Sequence, residues 1–287
     1  MILGIPFGQD KDTGEWRDVA EVSRGLACNC ICPSCKLPLS ARHGEERDWH
    51  FAHHTRNIPK EDIIDCEFSF EVSLRMMTHQ LLLDGASLKL PEYIKSVAVP
   101  KSLNNIKPEV KIAKVQCLST SDAKLTVDVD FFGHKVDALY EFGTASLIVY
   151  LVYRGRKFPF GLSLLRDVKA GVLLLDIEEL AQIFYHHPMA EAEKLGTARF
   201  QLMGWLQTSI EAKHWLYHPR ENERLDKKHQ LIDDALKGLT TGSKVLQIPF
   251  HLQIKCQCIG CGTSFTGIRN KTNPCPECQT HLYVTNY

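Results

Sequence analysis

Residues suited to metal chemistry concentrate near the two ends of this chain. All of its eleven cysteines except Cys66 and Cys117 fall in two tight groups. The first, Cys28-Asn-Cys30-Ile-Cys32-Pro-Ser-Cys35, precedes Trp49-His50-Phe51-Ala52-His53-His54. A Cys-x-x-Cys turn presents two thiolates to one tetrahedral ion, and a histidine pair downstream can complete the shell. The spacing nominates Cys32, Cys35, His50 and His53, with His54 an alternative to His53 and Cys28 and Cys30 near enough to substitute. In the second group, Cys256-Gln-Cys258-Ile-Gly-Cys261-Gly is followed by Cys275-Pro-Glu-Cys278. Two Cys-x-x-Cys pairs at this separation are the pattern of a zinc ribbon, so Cys258, Cys261, Cys275 and Cys278 are the expected ligands and Cys256 is surplus. Both shells close with four protein ligands and keep no position for a reactive water. The expected cofactor is Zn²⁺ at two structural sites.

An odd number of cysteines grouped in Cys-x-x-Cys pairs favours metal over disulfides. The opening Met-Ile-Leu-Gly-Ile-Pro-Phe-Gly lacks a basic lead and a cleavage site, and no run reaches the ~18 apolar residues of a membrane span. A cytoplasmic protein without a membrane partner is expected. The 34 basic and 34 acidic residues cancel, so any basic surface for nucleic acid must be local.

The elements between the cysteine groups read as α/β. Residues 65–84 have helical periodicity, with Phe70, Leu74, Met77, Leu81 and Leu82 on one stripe, Asp65 a candidate cap and Gly85 a stop. Residues 109–117 alternate, with Val110, Ile112 and Val115 inward, and residues 124–131 alternate again. Gly133-His134 is the expected turn into a strand over 135–142. The apolar runs 146–153 and 171–176 suit strands buried on both faces, giving a sheet of about five strands with helix on at least one face. Residues 177–237 read as helical, with Phe200, Met203, Trp205, Leu206 and Ile210 on one face and Trp215 to Arg220 at its end. The pair His186-His187 before Pro188 suits a helix end, and 238–247 a linker. The expected organisation is an N-terminal zinc-binding segment (1–64), an α/β core (65–180), a helical extension (181–240) and a C-terminal zinc ribbon (241–287).

Cys32-Pro-Ser-Cys35, Gly44 and above all His50-Phe-Ala-His53 resemble the N-terminal zinc-binding segment of the competence protein CoiA-like family. The helix from Glu71, Leu88-Lys-Leu-Pro91, Val136-Asp137-Ala138-Leu139, and the strands 147–153 and 173–177 resemble its later motifs. The resemblance spans roughly residues 26–220. It implies a restriction-endonuclease-like fold of the PD-(D/E)xK type, a mixed-sheet core acting on DNA. Nucleases of that type hold Mg²⁺ with an Asp at a strand end and a Glu on the next strand, and a Lys or Gln two residues on assists the attacking water. Asp137 matches the Asp, but Tyr150 stands where the Glu is expected and Val152 where the Lys or Gln belongs. On the helix, Glu71 matches while Arg75 and His79 replace an expected His and Lys.

Two core readings follow, with a third in reserve. One is a DNA-binding protein whose nuclease motif is degenerate. The other is an active Mg²⁺-dependent nuclease that regroups Glu71, Asp128, Asp130 and Asp137, since Glu141 lies ~13 Å along the strand from Asp137. The third has both zinc modules recruiting a protein partner around an inert scaffold.

Overall fold

The computed structural model describes residues 4–44, 49–55, 66, 69–185, 196–242, 252–281 and 284–286, and for 182–185 and 240–242 only the backbone. The chain divides into two compact units, Met1–Pro100 with Ile106–Lys228, and Lys101–Asn105 with His229–Tyr287. The cap expected at Asp65, the pair His186-His187 and the end of the linker lie outside the described residues.

The first unit opens with short strands. β1 (Phe7–Asp10), β2 (Trp16–Asp18) and β3 (Cys30–Ile31) form a sheet in the order β2-β1-β3, and β4 (Leu39–Arg42) pairs with β5 (His50–His53). Their shared core is small: Val19, Leu39, Ala41 and Phe51 bury beside Cys28, Cys30 and Cys32. So little apolar surface is marginal for stability, and a metal staple is the usual remedy.

Helix α1 (Phe70–Leu83) is capped by Ser69, whose hydroxyl accepts from Val72 N, and ends before Gly85 at φ 93°. The predicted stripe is the buried face, with Phe70, Leu74, Met77, Leu81 and Leu82 each no more than 3% exposed. Gln80 on this helix exchanges two hydrogen bonds with the backbone of Trp16, fastening β2 to it. Beyond it, β6 (Leu88–Leu90) and β7 (Tyr93–Ser96) pair with β9 (Gln116–Leu118) and β8 (Glu109–Ala113) respectively. Val110 and Ile112 are buried as expected; Val115 is exposed, because the run breaks there into two strands with different partners.

The central sheet has five strands in the order β10-β11-β12-β13-β14. β10 (Lys124–Phe131), β11 (His134–Phe142) and β12 (Ala145–Val152) form an antiparallel meander. The short helix α2 (Leu162–Asp167) crosses to β13 (Ala170–Asp176), which runs parallel to β12. The β10–β11 turn is Phe132-Gly133, one residue earlier than expected, with both residues at positive φ as a two-residue hairpin of matching twist requires.

α3 (Ile177–Tyr185) and α4 (Ala198–Thr208) follow. Leu202, Trp205 and Leu206 bury, but Phe200 and Ile210, assigned to the same face, are 59% and 43% exposed. Ile210 lies beyond the helix end. Residues 213–217, read as the end of a helix, are instead strand β14 (Lys213–Tyr217), antiparallel to β13. Its lysine explains the departure. Lys213 Nζ is buried and donates to the carbonyls of Trp205, Leu206 and Lys89, tying the strand to the end of α4. α5 (Glu221–Gly242) continues helical through residues 238–242, where a linker was expected.

The second unit carries a three-stranded sheet, β15 (Gln253–Cys258), β16 (Ser264–Ile268) and β17 (Val284–Asn286), in the order β16-β15-β17.

Candidate functional site

Both cysteine groups are built on the same backbone device. At Cys258 the amide donates to Thr263 O at 2.9 Å, while Gly262 N donates to Cys258 O at 2.7 Å. At Cys275 the amide donates to Thr280 O at 2.9 Å and Gln279 N to Cys275 O at 2.8 Å. At Cys32 it donates to Leu37 O at 2.8 Å and Lys36 N to Cys32 O at 2.9 Å. Each knuckle turns through a residue at positive φ: Gly262, Gln279 and Lys36. The turn holds both sulfurs of a Cys-x-x-Cys pair on one side of the chain.

Among the described residues, potential metal ligands gather in groups of three or more within 4.8 Å in two places. One is Cys258, Cys261, Cys275 and Cys278, with Sγ–Sγ separations of 3.5 Å for Cys261–Cys275 and 4.0 Å for Cys258–Cys278. Cys256 stays outside it, its thiol donating to Asn286 Oδ1. The neighbouring Cys261 thiol, burial and Cys258 push Cys278 up to about 12, because thiolates this close repel unless a cation joins them. The donor set fits Zn²⁺.

The second group is Cys32, Cys35, His53 and Cys66. It differs from the expected ligand set in one member, Cys66 standing where His50 was expected. Three residues apart on β5, His50 and His53 point to opposite faces of the strand. The fourth donor comes instead from just ahead of α1, with Cys66 Sγ 3.3 Å from Cys32 Sγ. His53 Nε2 is buried without a hydrogen-bond partner, and burial lowers its pKa, keeping the ring neutral as a ligand must be. An orphaned imidazole nitrogen facing three thiols fits Zn²⁺ as well. The sequence signal for Cys66 was its residue type alone, since no second cysteine or histidine stands near it in a ligand spacing.

The core carboxylates are arranged differently. Asp137 on β11 is fully buried. The β11–β12 ladder ends at Ala138↔Val149, and just beyond it Leu151 N donates to Asp137 Oδ2 at 2.7 Å. Arg156 Nη1 donates to the same Oδ2 at 2.6 Å and to Leu151 O at 2.5 Å. Its guanidinium lies 4.0 Å from the centroid of the Tyr150 ring, so a cation–π contact occupies the position of the expected Glu. From α1, Arg75 Nε donates to Asp137 Oδ1 and His79 Nε2 lies 3.1 Å from it. Burial by itself would raise the carboxyl's pKa. The His79 hydrogen bond and the charges of Arg75 and Arg156 overcome it and hold Asp137 well below the usual carboxylate range.

The remaining candidates are placed apart. Asp128 is exposed and shares Arg75 with Asp137, at 3.1 Å from Nη2. Asp130 is exposed and accepts from Gly133 N in the hairpin turn. Glu71 is buried and pairs through Oε1 with Arg154 Nε at 2.7 Å, while its Oε2 is buried without a hydrogen-bond partner. These four acids make no group of three ligands within 4.8 Å. Arg75, Arg154 and Arg156 stand against Asp137, Glu71 and Asp128 and leave no surplus negative charge to draw a divalent ion. The two arginines of the run Arg154-Gly155-Arg156-Lys157, directly after β12, carried no motif by which sequence reasoning would single them out.

No protein-family model matches the chain, no curated protein matches it, and no solved structure matches it. No helix among the described residues is long and apolar enough to cross a membrane.

Proposed function

We propose that this is a zinc-stabilised nucleic-acid-binding protein of the CoiA-like type, with a PD-(D/E)xK-like core that does not cleave DNA. The observation that carries the reading is Arg156 Nη1 between Asp137 Oδ2 and Leu151 O. Two oxygens converging on one cationic centre are what a catalytic Mg²⁺ would use. A guanidinium fills that place but can neither coordinate water nor lower its pKa. The succession of α1, the meander β10–β12 that follows the short strands β6–β9, the crossover α2 and the parallel strand β13 supports the nuclease-like core, as does the reach of Asp137 to Leu151 N on β12. Zinc at both cysteine groups supplies structure, and thiolate ligation suits a reducing cytoplasm.

The test is cleavage and binding on the same preparation. Purified protein with Mg²⁺ or Mn²⁺ should leave single- and double-stranded DNA and RNA intact. It should bind DNA with an affinity that falls as salt rises. Metal-dependent cleavage abolished by Asp137→Ala would overturn the reading in favour of an active nuclease. Failure to bind any nucleic acid would leave the zinc modules as protein-recruiting elements.

A further inference from the structure

We infer that the groove at the C-terminal ends of β12 and β13 is a nucleotide subsite, taking one unit of a single-stranded nucleic acid with its base on the aromatic floor and its phosphate on Arg154 and Lys157. The inference rests on the nucleic-acid reading above and assigns that binding to a place. The groove measures about 610 Å³ and runs along the loop Tyr153–Phe160 and the start of α2, a size that suits a small ring-bearing ligand. Parallel strands end here side by side, Val152 against Asp176, where crossover folds leave a crevice for ligands.

Its two kinds of lining match the two halves of a nucleotide. Tyr153, Phe158 and Phe160 are half-buried along it, and Leu162 and Leu216 are 47% and 36% exposed at its edge. Arg154, with 65% of its side chain exposed, and the exposed Lys157 stand beside them. Arg154 uses only Nε on Glu71, and a guanidinium has further donors for a phosphate. The groove's acids already accept backbone amides: Asp176 Oδ1 takes Glu178 N and Glu179 N, and Glu178 Oε1 takes Arg154 N at 2.8 Å. They fasten the loop, while the cations remain at the rim. A base stacked on an aromatic side chain beside a phosphate held by cations is the usual way of gripping a single strand.

The experiment is fluorescence anisotropy with fluorescein-labelled oligo(dT) and oligo(rU) across a salt series. Variants are Arg154→Gln/Lys157→Gln, Phe160→Leu, and Lys227→Gln/Lys228→Gln on α5 as a surface control, each checked for an unchanged melting curve. The Arg154/Lys157 pair should flatten the slope of log affinity against log salt by about 1.4, or ~0.7 for each lost phosphate contact. Phe160→Leu should weaken binding severalfold at unchanged slope, and the control should bind like wild type. If wild type binds and all variants bind equally, the subsite is wrong and the nucleic-acid reading stands. If wild type binds duplex DNA but neither oligonucleotide, the subsite is wrong and the nucleic-acid reading stands; if it binds no nucleic acid at all, both fall. Preference between the two oligonucleotides distinguishes DNA from RNA as the source of the strand.

Discussion

Asp137 is the residue on which the core turns, and its charge has consequences that can be measured. Its carboxylate is shared by Arg75, His79, Arg156 and Leu151 N. Removing one partner of a buried ion pair strands the other, which costs about 3–5 kcal/mol. Asp137→Asn should therefore lower stability by roughly that amount at neutral pH, read from urea denaturation. The pH dependence has a definite sign. The folded pKa lies below the unfolded value of about 3.9, so the stabilisation is complete above that value and is lost as pH falls below it. The gap between wild type and variant should stay constant from pH 7 to about 5 and narrow below pH 4; a gap that widens in acid would contradict the arrangement. At the N-terminal metal group, His53→Ala and Cys66→Ser should each reduce bound zinc from two ions per chain to one. His50→Ala should keep both, as counted by elemental analysis of the purified protein.

At the scale of the elements, the sheet switches faces at Asp128. Leu125 and Val127 pack with the α1 side, whereas Val129 and Phe131 pack with the opposite cluster, although all four share the parity of one strand. Asp128 lies at φ 50°, and the ladder passes from Val127↔Ala138 to Val129↔Val136 without pairing Asp128 and Asp137. That break frees both aspartates to meet Arg75. The hairpin beyond it holds Phe132 at φ 48°, a residue 62% exposed. Asparagine tolerates that conformation far better, so Phe132→Asn should raise stability by about 0.5–1 kcal/mol, seen as a higher denaturation midpoint. Lys213 makes the opposite case. Replacing it with Met leaves the carbonyls of Trp205, Leu206 and Lys89 without their donor, at a cost of about 2–3 kcal/mol in the same assay. A neutral result would mean that the ammonium does not hold β14 to α4.

For the whole molecule, the two units differ in how much apolar core they have apart from their cysteine groups. The five-stranded sheet rests on a large apolar cluster that includes Leu74, Met77, Tyr140, Val149 and Leu173. The described ribbon buries little besides its cysteines Cys256, Cys258 and Cys275. A strong zinc chelator should therefore open residues 252–286 to limited proteolysis while the far-ultraviolet signal of the sheet persists. Simultaneous loss of both would show that the sheet also needs zinc.

Local patterns in the sequence were enough for the elements whose cause is local. The stripe of α1, the two buried strands β12 and β13 and the four ribbon ligands follow from periodicity and spacing within a few residues, where chain geometry leaves little choice. Tertiary structure decided what depends on distant partners. Cys66 meets Cys32 and Cys35 although 31 residues separate it from the nearer of them, and strand alternation sets His50 on the face opposite His53. β14 reads as a helix end until Lys213 finds three carbonyls around it. The fate of Asp137 was settled by Arg75, 62 residues before it, and Arg156, 19 residues after it. Whether a buried carboxylate meets a metal ion or a guanidinium depends on the charges that folding brings to it, and no short motif records those.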